Sequence, residues 1–266
     1  METLRDKVAV ITGAASGIGR ATAWSLVDRG ARVVIADIDA AGAEQVAGEI
    51  AAAGGSALAV PCDVAAEGAF EALRDSTADA FGRVDVVMNN AGVLTRGLPE
   101  HIPVAEWQRV LDVNLMSVVR SNSAFLPLLV EQGSGHLVNT ASFAGLFTYS
   151  YDRLPYAASK AALIQLSEGL ALYLRPQGIG VTVLCPGPVV TGIAGSIRSF
   201  GPETTTRGPG PEFEALQPEQ VGEQVAEAIL ANRFMLQTDD NVRPHLRNRA
   251  DNWDAYLNDR ITALDG

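Results

Sequence analysis

The segment YSYDRLPYAASK, residues 149–160, places a tyrosine and a lysine at a spacing that could perform proton transfer. Tyr156 precedes Lys160 by four residues, and on a helix such side chains lie on one face, about one turn apart. Pro155 suits the first turn of that helix. A phenol has an unperturbed pKa of about 10, and a nearby cation lowers it. We therefore expect Lys160 to lower the pKa of Tyr156, so that the hydroxyl serves as a general acid/base.

The lysine at position 160 is an uncommon choice in this chain. Of the 20 lysines and arginines, only Lys7 and Lys160 are lysines. A compact ammonium with rotatable donors suits a cofactor ribose and a proton relay, whereas a guanidinium is a planar fork. Tyr149 and Tyr151 have no lysine four residues later. Taken alone, a tyrosine and a lysine at this spacing are often only a surface pair on a helix.

A glycine-rich turn, TGAASGIG (residues 12–19), lies between the first strand-like run and a helical stretch. Gly13 permits the tight turn, and Gly17 and Gly19 let backbone N–H groups and the helix start approach a pyrophosphate. The spacing GxxxGxG differs from the more common GxGxxG of dinucleotide sites. Without further support, such a turn can be merely a tight connection.

Asp37 strengthens the dinucleotide interpretation because it ends the second strand-like run, 20 residues after Gly17. An acid there accepts hydrogen bonds from an adenosine ribose and repels a 2′-phosphate. No arginine directly follows Asp37, and Ser16 rather than a basic residue precedes Gly17. The sequence therefore predicts NAD as the cofactor, in preference to NADP. The alternative role for Asp37 is that of a helix-cap or turn acid.

Alternating strands and helices are predicted to position these residues. The strands are predicted at 8–12, 32–37, 57–63, 84–89, 135–142 and 179–186, and the helices at 17–29, 40–53, 66–81, 104–130 and 155–175. Strict alternation implies right-handed crossovers and a parallel sheet with helices on both faces. We predict an α/β fold, with residues 1–266 forming a single Rossmann-like, doubly wound domain whose parallel sheet has about seven strands.

The alternation weakens after Pro186. Residues 192–216 are rich in glycine, proline and threonine, and a connection of that length is usually a functional lid or disordered. We expect this segment to close over the substrate site. A further helix (218–232), a short strand (234–238) and a charged helical stretch (243–262) are predicted to follow, the last within a C-terminal tail, 239–266.

Further motifs lie between the glycine turn and the Tyr156–Lys160 pair, and after that pair. They are NNAG (residues 89–92), Asn114 within the helical WQRVLDVNL, Ser142 at 14 residues before Tyr156, and PGPVVT (residues 186–191) after the sixth strand. With TGAASGIG and YAASK, they resemble the motifs of the short-chain dehydrogenase/reductase family over about residues 5–240. Each is weak alone: a serine after a strand is usually a turn residue, and a lone asparagine in a helix is usually exposed.

The resemblance implies roles for particular residues. The catalytic tetrad would be Asn114, Ser142, Tyr156 and Lys160. The residues expected to contact NAD are Gly13, Ser16, Gly17, Ile18, Gly19, Asp37, Ile38, Asp63, Val64, Asn90, Ala91, Gly92, Tyr156, Lys160, Pro186, Gly187, Val189 and Thr191. Ser142 would hold the substrate oxygen beside Tyr156, and Asn114 would relay protons through an ordered water behind Lys160.

The implied activity is hydride transfer between a secondary alcohol or ketone and nicotinamide, with Tyr156 as general acid/base. Six apolar residues favour an apolar or cyclic substrate over a phosphorylated or highly charged one: Leu94, Phe143, Leu146, Phe147, Ile193 and Ile197. Tyr149 and Tyr151 either pack in a loop or form a substrate wall. Two other classes stay open, an epimerase, dehydratase or dehalogenase on the same fold and a non-catalytic dinucleotide-binding regulator.

The composition argues against several partners. A net charge of −11 disfavours nucleic-acid phosphates and anionic membranes. We find no signal peptide and no apolar run of about 18 residues. Cys62 and Cys185 lack metal-ligand spacing and the three histidines are far apart, so we expect no metal and a cytoplasmic location. The resemblance implies a homotetramer or homodimer formed through helices such as 104–130 and 155–175 and through the 218–238 region.

Overall fold

A computed structural model describes residues 1–203, 205 and 207–265. Thr204 and Thr206 of the expected lid, and Gly266 of the expected tail, lie outside the described residues. The strands are β1 (Val8–Thr12), β2 (Arg32–Asp37), β3 (Ser56–Pro61), β4 (Val86–Asn89), β5 (Thr95–Gly97), β6 (Gly135–Thr140), β7 (Ile179–Cys185), β8 (Arg198–Phe200) and β9 (Met235–Gln237). The helices are α1 (Gly17–Val27), α2 (Ala40–Ala52), α3 (Ala69–Phe81), α4 (Val104–Leu111), α5 (Ser117–Gln132), α6 (Phe143–Leu146), α7 (Leu154–Leu174), α8 (Pro218–Leu230), α9 (Val242–Asp251) and α10 (Trp253–Asp265).

Seven of these strands form one parallel sheet in the order β3-β2-β1-β4-β6-β7-β9. Successive side chains point to opposite faces, so Ile11 and Ile35 belong to one buried cluster and Val10 and Val34 to another. Both faces are covered, which explains why the strands are apolar throughout. The predicted α/β, Rossmann-like, doubly wound fold is confirmed.

Helices cover the two faces in separate layers. Helices α1, α2 and α8 bury Leu26, Ile50 and Val225 in the first cluster. Helices α3, α5 and α7 bury Leu73, Leu129 and other residues in the second. Helix α7 therefore has a buried face against the sheet, and its amino-terminal turns lie where the strands end.

The strand order reverses beside β1, whose neighbours are β2 and β4. In open parallel sheets, the crevice outside the carboxyl ends at such a reversal is the usual ligand site. Strand β1 runs into the glycine turn, and β4 runs into NNAG. The Asn90 Nδ2 donates to the carbonyls of Thr12 and Gly13, each at 3.1 Å. The two motifs thus meet at this crevice.

Several elements differ from the sequence prediction. The helix predicted at 104–130 is interrupted by a π-helical turn, Asp112–Met116. The tail forms two helices rather than one. Strands β5 and β8 were not predicted, and they form a separate parallel pair in which Thr95 lies opposite Arg198. Their sequences, TRG and RSF, are short and lack the apolar run that indicates a strand.

The helical stretch Val104–Gln132 is long and apolar enough to cross a membrane by length and composition alone. An 18-residue window within this stretch has a mean hydropathy of 1.3, and 39% of that window is buried. The absence of an uninterrupted apolar run of about 18 residues therefore does not exclude such a helix, because scattered polar residues do not prevent a high mean hydropathy. Phe125 and Leu129 of this stretch lie in the core against the sheet, and a core helix meets the same two criteria.

Candidate active site

One cavity of about 840 Å³ lies at the carboxyl ends of the central strands. It brings together most of the sequence-predicted site residues. Those that line it are Gly13, Ser16, Gly17, Ile18, Asp37, Ile38, Asp63, Val64, Asn90, Ala91, Gly92, Ser142, Tyr156, Lys160, Pro186, Gly187, Val189 and Thr191. Asn114 and Gly19 do not line the cavity, but both contact residues that do.

The glycine turn is closely packed against the loop after β4. Gly13 has a φ of 64°, in the left-handed region, and a Cβ there would lie 2.9 Å from the Cα of Ala91. A Cβ on Gly19 would overlap the carbonyl oxygen of Gly13 and lie 2.7 Å from the Asn90 Nδ2. The Ser16 side chain makes no cap hydrogen bond to α1. The turn therefore presents a close backbone approach at a helix start, as pyrophosphate binding requires.

Asp37 is oriented by two backbone donors. Its Oδ2 accepts from the Ala15 N–H at 2.9 Å, and its Oδ1 accepts from the Asp39 N–H at 3.0 Å. The cap of α2 is Asp39, whose Oδ1 accepts from the Gly42 N–H at 3.1 Å. Asp37 is thus a turn acid and not a helix cap, and its carboxylate also lines the cavity. Asp63 lines the same end.

Tyr156 and Lys160 lie one turn apart on α7, and both are buried. The Lys160 Nζ lies 5.6 Å from the centroid of the Tyr156 ring. The ammonium donates to the carbonyl of Thr140, at the end of β6, at 2.7 Å. Helix periodicity therefore places the two side chains together as expected, while the strand end holds the lysine in position.

Burial dominates the protonation of this pair. It raises the pKa of Tyr156 to about 12, and a side-chain hydrogen bond with Ser142 offsets part of that rise. Burial also lowers the pKa of Lys160 to about 8. The expectation of a lowered pKa for Tyr156 is therefore wrong for the protein chain by itself, because desolvation of the phenolate outweighs the favourable charges nearby. At neutral pH the phenol is protonated and can act as an acid.

Asn114 lies in the π-helical turn Asp112–Met116 and links three segments. Its Oδ1 accepts from the Val93 N–H at 2.8 Å, and its Nδ2 donates to the Val93 carbonyl and to the Ser159 Oγ, both at 3.0 Å. Ser159 in turn donates to the Tyr156 carbonyl at 2.7 Å. Asn114 therefore ties the loop after NNAG to α7. A proton relay through this residue stays a prediction.

Three polar residues of the site were missed by the sequence reasoning. The Thr12 Oγ1 accepts from the N–H groups of Asn90 and Ala91 at 3.0 and 3.2 Å. Thr140 holds Lys160, and Ser159 joins Asn114 to α7. Ser159 stands inside the YAASK motif, three residues after Tyr156, so its helical spacing could have identified it. The other two are strand ends whose partners are distant in sequence.

The other end of the cavity is lined by loop residues. Leu94, Tyr149, Arg153, Ile193 and Arg198 lie there. Tyr151 does not line the cavity and is 43% exposed, so only Tyr149 fits the substrate-wall prediction. Of the six apolar residues considered, Phe143, Leu146 and Phe147 pack in a core cluster instead, and Ile197 packs in a smaller cluster that includes Tyr156.

The segment carrying Arg198 leaves and rejoins the cavity wall at a short ladder. The Val190 N–H donates to the Leu216 carbonyl at 2.9 Å, and the Leu216 N–H donates to the Pro188 carbonyl at 3.0 Å. Within the segment, β8 pairs with β5, next to the loop after NNAG. The segment is thus hydrogen-bonded to the rest of the protein at its base, at β8, at Arg207 and at Glu212.

Within the described residues, no group of three or more histidine, cysteine, aspartate or glutamate side chains is arranged to hold a metal ion. Cys62 and Cys185 are both buried and unpaired. Burial raises the pKa of Cys62 to about 11 and that of Cys185 to about 12. Both thiols therefore stay protonated at neutral pH.

Comparison with known proteins gives one consistent family. A family model described as short chain dehydrogenase matches residues 7–201. The chain is 37% identical to 1-deoxy-11-beta-hydroxypentalenate dehydrogenase of Streptomyces exfoliatus, over 93% of this chain and 88% of the relative. It is also 37% identical to cis-4-hydroxycyclohexanecarboxylate dehydrogenase of Sinomonas cyclohexanicum, over 85% and 90%. A crystal structure of a short chain dehydrogenase/reductase from Burkholderia phymatum, in complex with NAD, matches with a TM-score of 0.86 and 33% identity over 96% of each chain.

Proposed function

Because the chain belongs to the short-chain dehydrogenase/reductase family of oxidoreductases, we propose that it transfers a hydride between a secondary alcohol or ketone and NAD. The observation that carries this proposal is the single cavity, which joins the glycine turn and Asp37 to Ser142, Tyr156 and Lys160. A dinucleotide site and an acid/base pair in one cavity are what a dehydrogenase requires.

The residues of this chain fit NAD. Because Gly13 and Gly19 lack a Cβ, the glycine turn packs closely against Ala91 and Asn90 at the start of α1, and Asp37 offers a carboxylate for a ribose. When bound, NAD supplies the hydride acceptor or donor. We assign Ser142 to hold the substrate oxygen and Tyr156 to give that oxygen a proton in ketone reduction or to remove it in alcohol oxidation. Lys160 keeps a positive charge beside the phenol.

A preference for NAD over NADP is part of the proposal, and Asp37 supports it. The Asp37 carboxylate is fixed by Ala15 and Asp39 and would repel a 2′-phosphate. We expect the ratio of kcat/KM for NAD over NADP to fall by about tenfold or more in Asp37→Ala. Asp39→Ala is the matched control, since Asp39 caps α2 and does not line the cavity. Equal use of both cofactors by the unaltered protein would contradict this preference.

The substrate is proposed to be apolar or cyclic. Leu94, Tyr149 and Ile193 line the end of the cavity away from Asp37, and the names of two relatives describe dehydrogenases of cyclic hydroxy acids. A panel of cyclic and aryl alcohols, steroids and sugars, followed by NADH absorbance, tests the proposal. An epimerase would convert substrate without net NADH, and a regulator would bind NADH without turnover. Either result would replace the dehydrogenase assignment.

The expectations for the lid, assembly and location remain part of this proposal. We propose that residues 192–216 cover the bound substrate and that the 239–266 tail packs beside them. Large apolar residues exposed on and beside helices α5 and α7, among them Met116, Val119, Leu172 and Tyr173, support a homotetramer or homodimer. Light scattering tests the assembly, and a monomer at micromolar concentration would contradict it. A cytoplasmic location is proposed from the two unpaired cysteines.

A further inference from the structure

The charges that line the cavity change sign from one end to the other. At the glycine-turn end, the ionised side chains are those of Asp37 and Asp63. At the end beside β5 and β8, they are Arg109, Arg153 and Arg198, and no carboxylate of the described residues lines the cavity there. Since the whole chain has a net charge of −11, this positive end is a local feature and not a general property of the surface.

Two buried carboxylates lie behind this end, and each is shared between two arginines. Asp152 pairs with Arg96 at 2.6 Å and with Arg153 at 2.9 Å. Glu106 pairs with Arg109 and Arg198. The two carboxylates therefore hold Arg153, Arg109 and Arg198 in place at this end of the cavity.

Arg153 is the arginine best placed to meet a substrate. It immediately precedes α7, three residues before Tyr156, and its side chain is only 12% exposed. It donates to Asp152 and to the Arg207 carbonyl, and it lies over the Tyr149 ring at 5.4 Å. A guanidinium has more N–H donors than these partners use. By contrast, the Arg198 side chain is 59% exposed and lies at the rim.

Resting on the proposed function, we propose that the substrate carries a carboxylate, which Arg153 binds while Tyr156 exchanges a proton with the reacting oxygen. Arginine and carboxylate match as bidentate partners. The apolar residues Leu94 and Ile193 line the same end, so the carboxylate belongs to a hydrocarbon skeleton.

This inference adds one charged group to the expected apolar or cyclic substrate, which is still neither phosphorylated nor highly charged. The sequence does not reveal the arginines at this end, because residues 96, 153 and 198 are far apart along the chain. The positive charge of Arg153 also favours ionisation of Tyr156, which places the guanidinium within electrostatic range of the reacting hydroxyl. A carboxylate bound there lies a short distance from the carbon that is oxidised or reduced.

Matched substrate pairs test the proposal. We would measure kcat/KM with NADH for a series of monocyclic to steroidal keto acids, each beside its methyl ester. The unaltered protein should prefer at least one acid over its ester by about 10- to 100-fold, the range expected for hydrogen bonds to a charged group. Arg153→Gln should reduce this acid-to-ester ratio to about threefold or less. Arg153→Lys, which keeps the charge, should retain part of the ratio.

Arg96→Gln is the matched control, because Arg96 pairs with the same Asp152 and does not line the cavity. It should keep the acid-to-ester ratio. If Arg153→Gln fails to fold, the unaltered protein decides: cyclohexanecarboxylate should inhibit ester reduction more strongly than cyclohexanecarboxamide. Equal turnover of acid and ester, or an unchanged ratio in Arg153→Gln, would overturn the carboxylate inference alone. If none of the acids and none of the esters leads to oxidation of NADH, the proposed function itself would be overturned.

Discussion

The two ends of the cavity are built in different ways. The glycine-turn end consists of residues at the ends of neighbouring parallel strands, held by backbone contacts such as those of Asn90 with Thr12 and Gly13. The end beside β5 and β8 consists of loop residues held by side-chain clusters around Glu106 and Asp152. The first end is part of the sheet, and the second is attached to it.

In the proposed function, this difference separates binding of the cofactor from choice of the substrate. Strand ends are held by the whole sheet, so their positions depend little on any one side chain. The arginine clusters depend on a few charged residues, and their replacement would change what the cavity accepts while leaving the sheet intact. Tyr156 and Lys160 lie between the two ends.

The largest expected effect comes from Tyr156→Phe, which acts where the two ends meet. Removing the hydroxyl should lower kcat by about 10²–10⁴-fold, the usual contribution of a general acid/base. The affinity for NADH should change little, because the glycine-turn end is untouched. Stopped-flow turnover and fluorescence titration with NADH separate these two quantities. Full turnover in this variant would remove Tyr156 from the mechanism.

The next effect comes from Gly19→Ala, which breaks the glycine-turn end. The added Cβ would overlap the Gly13 carbonyl and the Asn90 amide, so the turn must shift. We expect NADH to bind about 10- to 100-fold more weakly and unfolding to be easier by about 1–3 kcal/mol. Gly48→Ala in α2 is the control, since nothing lies within 4 Å of its Cβ. It should leave NADH affinity unchanged, and equal weakening in both variants would argue against the packing explanation.

The pH dependence of ketone reduction sharpens the role of Lys160. Its pKa is lowered to about 8 and that of Tyr156 is raised to about 12. Reduction needs a protonated phenol and a charged lysine, so kcat/KM should be level below pH 8 and fall above it, by about tenfold per unit. Tyr156 keeps its proton throughout that range.

Lys160→Arg provides the matching test, because a guanidinium stays charged at every accessible pH. The fall above pH 8 should disappear in this variant, even where its activity is lower. The folded protein also holds fewer protons on Lys160 than the unfolded chain between pH 8 and 10.5, so this group's contribution to stability increases with pH there. If kcat/KM of Lys160→Arg still falls above pH 8, the group that titrates there is not Lys160.

The smallest effect distinguishes two tyrosines of the same loop. Tyr149 lines the cavity, whereas Tyr151 is exposed and does not. Tyr149→Ala should raise KM for a cyclic substrate by about 3- to 10-fold, from the loss of an aromatic contact. Tyr151→Ala should change KM less than about twofold. Equal effects of the two substitutions would mean that the loop acts as one unit and not through Tyr149.

The glycine-turn end could largely be predicted from the sequence, and the other end could not. Strand β2 was predicted with the bounds that it has, Arg32–Asp37, because its apolar run is continuous and ends at an acid. Helical spacing alone placed Lys160 beside Tyr156. These are local relations. The pairing of β5 with β8 and the sharing of Asp152 by Arg96 and Arg153 depend on contacts between distant segments.

The raised pKa of Tyr156 escaped prediction for a related physical reason. A cation four residues away can be read from the sequence, but the extent of burial cannot. In this protein burial outweighs the favourable charges and hydrogen bonds at Tyr156. The positions of the three arginine side chains that line the cavity could not be predicted either, because they depend on packing and not on spacing along the chain.

The ladder between Val190, Leu216 and Pro188 has a consequence for how new members of such a lineage arise. It joins the two ends of the intervening segment directly to each other. Closing a longer loop costs only about 0.6 kcal/mol for each doubling of its length. Changes of length between Phe200 and Phe213 therefore cost little in loop closure and can leave Val189 in its place in the cavity wall. Such changes offer one route to new substrate ranges on the same sheet.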